Sequence, residues 1–455
     1  VSYSPHLRTA ILLSGNGTGG AYHAGVLRAM HEAGVKIDVV GARGVGVVCA
    51  LFAAIDASPR TWEDGGVWRG RPSLRMYRWR SSLQWSAALA VAGVAAIAIP
   101  LLMLAAGAIA YPLSFLVQMI NVDSGYRLAS GYADMVRYAF APGMLPTLVP
   151  RLTMLCLAAA FGVLAVSAVR QRREHADGQG CEGHRMRARW WARLVGPPWT
   201  VEPGLKHVRA CLWQLFQGPT TAREPTAREL SRRYTELLFE NLGQPGFREL
   251  IIATVDLETR ADIVFAAVGA SWRPTFFQRA RGDVIDLAGI GRNHVLDAIS
   301  AAVSLPLLTE PHYIAFSPES YWKGETHRSC DRIGAVSRLL DELLAVGVDQ
   351  VIVVCADPER VAPHRLSQPH GSLRAQVGEQ LAAEECTTVR DAVVSRKKRF
   401  KGIFVIQPSH NPVGPLDFEG TYDDRSDRYQ SVSELIDRGY EDAYKQFIDP
   451  VIGGG

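Results

Sequence analysis

Two glycine-rich turns, each leaving a short apolar run and each opening a helix, constrain this chain more than any other feature. Ala10 to Leu13 is continuously apolar, as a strand buried on both faces would be. A loop with Gly15, Gly17, Gly19 and Gly20 follows it. Residues Ala21 to Ala33 then carry Val26, Leu27, Met30 and Ala33 at a helical period, and Gly34 stops that helix as a C-cap. A second apolar pair, Val39-Val40, runs into the turn Gly41-Ala42-Arg43-Gly44-Val45-Gly46, from which a small-residue helix, Val47 to Ala54, departs. Two successive βα units place both turns at the carboxyl edge of one parallel sheet, where open α/β sheets bind their ligands.

The spacing Gly15-x-Gly17-x-x-Gly20 satisfies a dinucleotide fingerprint, which alone is weak. That fingerprint also wants an acid at the end of the second strand, and the acid nearby, Asp38, precedes Val39-Val40. Nor does the loop end in the Gly-Lys-Ser/Thr of a phosphate-binding loop. A nucleotide reading is therefore a poor second. The better one makes the first turn (Gly15, Asn16, Gly17, Thr18, Gly19, Gly20) an oxyanion loop and the second (Ala42, Arg43, Gly44, Gly46) a nucleophile elbow. Backbone amides freed by glycine stabilise a tetrahedral oxyanion, and a strained turn exposes the nucleophile.

On LLSGNGTGGAYHAGVL and the small, apolar residues after the second turn, the chain resembles the patatin-like phospholipase family. The resemblance implies a three-layer α/β/α domain with a mainly parallel central sheet, and acyl-ester cleavage by a Ser-Asp dyad. It also shows departures. The Arg or Lys of the family's loop falls at Gly19, the first glycine of the elbow at Ala42, and the nucleophile at Gly44, which has no side chain. The elbow lacks its serine.

Past Asp56, arginines (Arg69, Arg71, Arg75, Arg78, Arg80) interleaved with Trp68, Tyr77 and Trp79 lead into a stretch with no charge from Ser81 to Val122. A bilayer core needs about 20 apolar residues, so spans are expected at about 85–120 and 150–170, with Pro100 and Pro112 kinking or ending the first. Arg170, Arg172 and Arg173 follow the second span, while the connection is poorer in cations. By the positive-inside rule both flanks are cytoplasmic. The expected layout is a first part of the patatin-like domain at 9–60, a transmembrane hairpin inserted at 81–170, a basic membrane-proximal linker, irregular in pattern, at 171–224, and a second part of the domain at 225–450. The protein is expected in the inner (cytoplasmic) membrane, multi-pass, with the α/β domain on the cytoplasmic side. The competing reading is two buried core helices.

In the second part, Leu230, Tyr234, Leu237, Leu238 and Leu242 form a helical stripe. Leu250–Val255, Ile263–Val268, Gln350–Val354 and Ile403–Ile406 read as strands, and Val432–Ile448 as a closing amphipathic helix. Ala298 to Pro306 looks like the family's Ala-Ser-x-x-x-Pro helix. The family's Asp-Gly-Gly, whose Asp is the base, has two placements: Asp331 by spacing, favoured slightly, or Lys323 by local pattern.

A net charge of +4 over 455 residues suggests no nucleic-acid partner. Seven cysteines, far apart and without a CxxC pair, read as unpaired thiols in a reducing compartment. No metal-ligand cluster is apparent, and no cofactor is expected. Ser14, Thr18 and Cys49 are weaker candidates for a replacement nucleophile, each better explained as a structural residue. Arg43 beside the elbow suits a lipid phosphate or carboxylate, or equally a neighbouring acid. His23 reads as a packing or capping residue. The leading expectation is a membrane protein of lipid metabolism that binds phospholipid or acyl lipid, or regulates, without catalysis. The alternative is an active acyl-ester hydrolase with a non-standard nucleophile.

Overall fold

The computed structural model describes residues 3–70, 76–177, 196–217, 225–278, 282–358 and 372–453, with the side chains of 170–177 not described. Arg71, Arg75, Cys181 and part of the expected linker lie outside these residues. The chain divides into two compact units, Val1–Arg78 with Trp199–Gly455, and Trp79–Pro198.

In the first unit the chain forms β1 (Thr9–Ser14), α1 (Gly19–Glu32), β2 (Val39–Ala42) and α2 (Gly46–Ala54). The second unit holds α3 (Ser81–Ile120), α4 (Val122–Ala139) and α5 (Leu145–Asp177). The first unit resumes with α6 (Glu202–Phe216), α7 (Ala227–Asn241), β3 (Glu249–Asp256), β4 (Ala261–Ala267), β5 (Val284–Asp286) and α8 (Val295–Val303). It closes with β6 (His312–Ala315), β7 (Thr326–Cys330), α9 (Ala335–Ala345), β8 (Gln350–Cys355), α10 (Leu373–Arg396), β9 (Gly402–Ile406), the hairpin β10 (Thr421–Asp423) and β11 (Arg428–Gln430), and α11 (Val432–Ala443).

Among the described residues, nine strands form one mixed sheet in the order β9-β8-β1-β2-β3-β4-β5, with β7 beside β3 and β6 beside β7. The pairings from β9 to β3 are parallel, with Ile11 opposite Ile352 on one side and Val40 on the other. β3 and β4 are an antiparallel hairpin, while β5 joins β4 in parallel. Alternation along a strand sends successive side chains to opposite faces. Ile11 and Leu13 accordingly enter a core with α1, α2, α8 and α11, whereas Ala10 and Leu12 enter a second core with α9. The result is three layers, α/β/α.

α10 belongs to neither layer alone. Val377 and Leu381 pack on the first core, and Val389 and Ala392 lie in the second. The helix therefore crosses from one face of the sheet to the other, next to the strand end it follows.

Differences from the sequence reading have local causes. Part of the stretch read as an irregular linker is helix α6, because Leu205, Val208, Cys211 and Leu212 recur at helical spacing and are buried. Its Arg, Gly and Pro content hid that stripe. β7, reading Thr-His-Arg-Ser-Cys, has no apolar alternation and was not foreseen. The closing helix turns into a π-helix over Tyr444–Ile452 after α11.

In the second unit, α3 continues through both Pro100 and Pro112. α3 and α5 are long and apolar enough to cross a membrane by length and composition. Their apolar windows are only 11% buried, which disfavours the core-helix reading. They meet at small residues: the Ser86 hydroxyl donates to the Ala160 carbonyl at 3.1 Å, and Thr153 donates to the Gly93 carbonyl at 3.4 Å. The connection between them contains helix α4. Asn121 caps it by accepting from the Ser124 amide, and Tyr132 donates to the Met103 carbonyl at 2.7 Å.

Candidate active site

Both glycine turns emerge at the carboxyl ends of adjacent parallel strands, β1 and β2. The two turns are bonded to each other. The Val45 amide donates to the Gly15 carbonyl at 3.0 Å, and Gly46 and Val47 donate back within the elbow to Arg43 and Gly44. Gly44 has φ +55, in the left-handed region. A Cβ built there would overlap the Gly15 carbonyl oxygen and lie 3.5 Å from Asn16 Oδ1. No side chain fits at this position without moving the first turn.

The first turn is covered in its own right. Its Thr18 amide donates to the Pro415 carbonyl at 2.8 Å and the Thr18 hydroxyl to the Gly414 carbonyl at 2.9 Å. The Gly19 amide donates to Asn16 and the Gly20 amide to Gly17. Gly17, at φ +51, lies so close to the Pro415 carbonyl that only glycine is accommodated. Gly20 makes room for the Trp68 ring.

Arg43 points into the protein and is fully buried. Nε donates to Asp331 Oδ1 at 3.1 Å, and Nη2 donates to Asp331 Oδ2 and, at 3.1 Å, to Asn16 Oδ1. Nη1 donates to Glu385 and, at 3.2 Å, to the Ser14 hydroxyl. All five guanidinium N–H groups are thereby used. Ser14 in turn donates to Glu385 Oε1, and the Asn16 amide donates to Glu385 Oε2 at 3.4 Å. Burial opposes the Arg43 charge, but the Asp331 and Glu385 carboxylates outweigh it and hold the guanidinium above its ordinary value. Arg43 thus pairs with neighbouring acids, and no N–H remains for an external phosphate.

Asp331 follows β7, whose Cys330 lies opposite Val255 of β3, and its amide donates to the Ser304 carbonyl at the end of α8. Lys323 is exposed on the turn between β6 and β7, at φ +46. Of the two, Asp331 is brought to the elbow. Glu385 was missed, since it is one acid among many on a charged helix. The signal that would have pointed to it was Arg43 itself, for a buried cation requires buried anions.

The remaining candidates are committed elsewhere. Burial pushes the Cys49 thiol up to about 12, against the Trp68 indole N–H that bonds it, and Cys49 donates to the Gly20 carbonyl. His23 Nε2 lies 3.0 Å from the Ser14 carbonyl, and burial lowers its pKa to about 4, with the Arg43 charge adding and that carbonyl opposing. Asp357, just past β8, is raised to about 7 by burial and by Glu385, with Arg43 opposing. Asp38 accepts from the Thr9 amide at the opposite, amino end of β1, far from any ribose held at the glycine turn.

No family model matches the chain. Over 60 residues, 13% of this chain, it is 40% identical to patatin-like phospholipase domain-containing protein 6 of Mus musculus, and equally to that of Homo sapiens. The similarity is to patatin-like phospholipases. The match spans 4% of the length of those relatives. Among solved structures, VipD from Legionella pneumophila covers 99% of this chain, and 68% of VipD is covered, at 11% identity and a TM-score of 0.33. That likeness is too low to carry an argument.

Proposed function

We propose that this chain is a membrane-anchored, non-hydrolytic relative of patatin-like phospholipases that binds lipid or acyl groups or regulates at a membrane surface. One observation carries the reading. At Gly44, the position matching the nucleophile, there is neither a side chain nor space for one, because the Gly15 carbonyl stands there. Asp331, the position matching the dyad base, is spent on Arg43. Without a nucleophile and a free base, acyl transfer has no first step. The two long apolar helices support the membrane setting, with the α/β domain on the cytoplasmic side by the charge of the flanks.

The competing reading, a hydrolase with another nucleophile, is opposed by the burial and bonding of Ser14, Thr18 and Cys49. Fluorophosphonate labelling and phospholipid hydrolysis by the purified chain in detergent test the proposal. Both are expected to be blank, while lipid co-purifies or the chain binds phospholipid vesicles. A labelled residue or turnover in the unmodified chain would overturn it.

A further inference from the structure

Two cysteines that the site does not use sit at one place in the fold. Cys355 is the last residue of β8 and fully buried; Cys386 is on α10, partly exposed, and immediately follows Glu385. Both thiols face the same short stretch of chain. Cys386 donates to the Pro358 carbonyl at 3.2 Å, and Cys355 to the Asp357 carbonyl at 3.6 Å. Cys386 also acts on the Cys355 thiol, which it holds, together with burial, well above its ordinary pKa. Among the described residues, the other buried cysteines are placed differently: Cys49 on Trp68, Cys211 against His207, Cys156 in α5 and Cys330 in β7.

We propose that Cys355 and Cys386 are a redox pair whose disulfide fastens α10 across the end of the sheet. The oxidant class is a hydroperoxide. Cys386, the accessible thiol, attacks the terminal peroxide oxygen as its thiolate; the O–O bond breaks, an alcohol or water leaves with the proton, and a sulfenic acid remains. The Cys355 sulfur then displaces that hydroxyl, forming the S–S bond and releasing water. Two thiols and one hydroperoxide give one disulfide, one alcohol and one water. Cys386 and burial both disfavour the Cys355 thiolate, so Cys355 is not the sulfur that meets the peroxide first.

The device acts on the site because residues 385 and 386 are neighbours. Reduced, α10 is held over the first turn by the Glu385 contacts to Arg43, Ser14 and Asn16. Oxidised, the same turn of helix is joined covalently to β8. The inference does not depend on whether the site hydrolyses anything.

The test uses the full chain in detergent, reduced, desalted and exposed to hydrogen peroxide or cumene hydroperoxide. Free thiols are then alkylated under denaturing conditions and mapped by mass spectrometry. The expected result is joint loss of the Cys355 and Cys386 thiols and one intramolecular cross-linked peptide pair. Amide hydrogen exchange across 373–396 should slow by at least about tenfold relative to reduced protein. Cys386→Ser should abolish both changes. Over-oxidation of Cys386 with Cys355 still alkylatable would overturn the proposal. So would a cross-link that leaves exchange in α10 unchanged. Both readouts are taken on unsubstituted protein, so a variant that fails to fold does not decide the matter.

Discussion

The Val45 amide donates to the Gly15 carbonyl at 3.0 Å, and that carbonyl occupies the space a Gly44 side chain would need. The two turns are therefore locked together where an open elbow would admit a substrate. In the nucleophile elbow to which the proposed reading compares this turn, the amide after the nucleophile is one of the oxyanion donors. Here it is spent on the neighbouring turn.

Under the proposed reading, serine at position 44 is not expected to create hydrolase chemistry. Gly44→Ser is expected to stay unlabelled by fluorophosphonate and to lose stability, by roughly 1–3 kcal/mol from the left-handed backbone alone, with the overlap adding to it. A thermal melt in detergent beside the labelling assay checks both halves. A labelled, fully stable variant would show that the first turn moves aside easily.

The charge cluster is stable only as a set. Arg43→Met leaves the Asp331 and Glu385 carboxylates buried together without a cation and should cost about 3–5 kcal/mol. Glu385→Gln keeps the shape and leaves Arg43 paired with Asp331, so about 1–2 kcal/mol is expected. Comparing the two melts is enough. Equal losses would mean that Glu385 does not act through Arg43.

His23 and Asp357 make opposite contributions to pH dependence. His23 is held at about 4 against an ordinary 6.5, so the unfolded chain binds its proton first and stability falls as pH drops from 6.5 to 4. Asp357 is held at about 7 against 3.8, so its contribution is full below 3.8 and is lost as pH rises through 7. Each is worth about 3–4 kcal/mol at its limit, and between pH 4 and 6.5 they largely cancel. His23→Gln should therefore gain stability relative to the unmodified chain as pH falls through this window. Asp357→Asn should gain as pH rises. Melting temperatures of the three proteins from pH 4 to 7 reveal the crossing slopes, and parallel curves would sink the assignment.

Val94, 68% exposed on α3, separates water from lipid as the surroundings of that helix. In water, Val94→Arg at an exposed site changes stability within about 0.5 kcal/mol. At the centre of a span the same change costs roughly 2.5–3.5 kcal/mol of insertion free energy. The variant should lose part of its carbonate-resistant membrane fraction. An unchanged fraction would place Val94 outside the hydrocarbon. At about 1.5 Å per residue α3 is about 60 Å long, twice a bilayer core, so the depth of each residue is worth measuring.

Several features were legible from residue order alone. The alternation of apolar runs and glycine turns gave β1, α1, β2 and α2 because period and punctuation are local properties. The apolar length of α3 and α5 was equally plain. The passage of α3 through Pro100 and Pro112 was not, since whether a helix tolerates a proline depends on what else packs there. α6 and β7 were hidden: the first by charged residues on its outer face, the second by being a short polar strand held by β3 and β6.

The sequence by itself determined that residue 44, which the resemblance matches to a nucleophile, is glycine, since the absence of a side chain needs no fold to be read. It also determined that Arg43 sits one residue away. Only the tertiary structure decided what Arg43 does. Asp331 and Glu385 are 288 and 342 residues distant along the chain, and burying a guanidinium is tolerable only where such anions converge on it. That convergence is set by β7 beside β3 and by α10 crossing the sheet, long-range placements that no local pattern encodes.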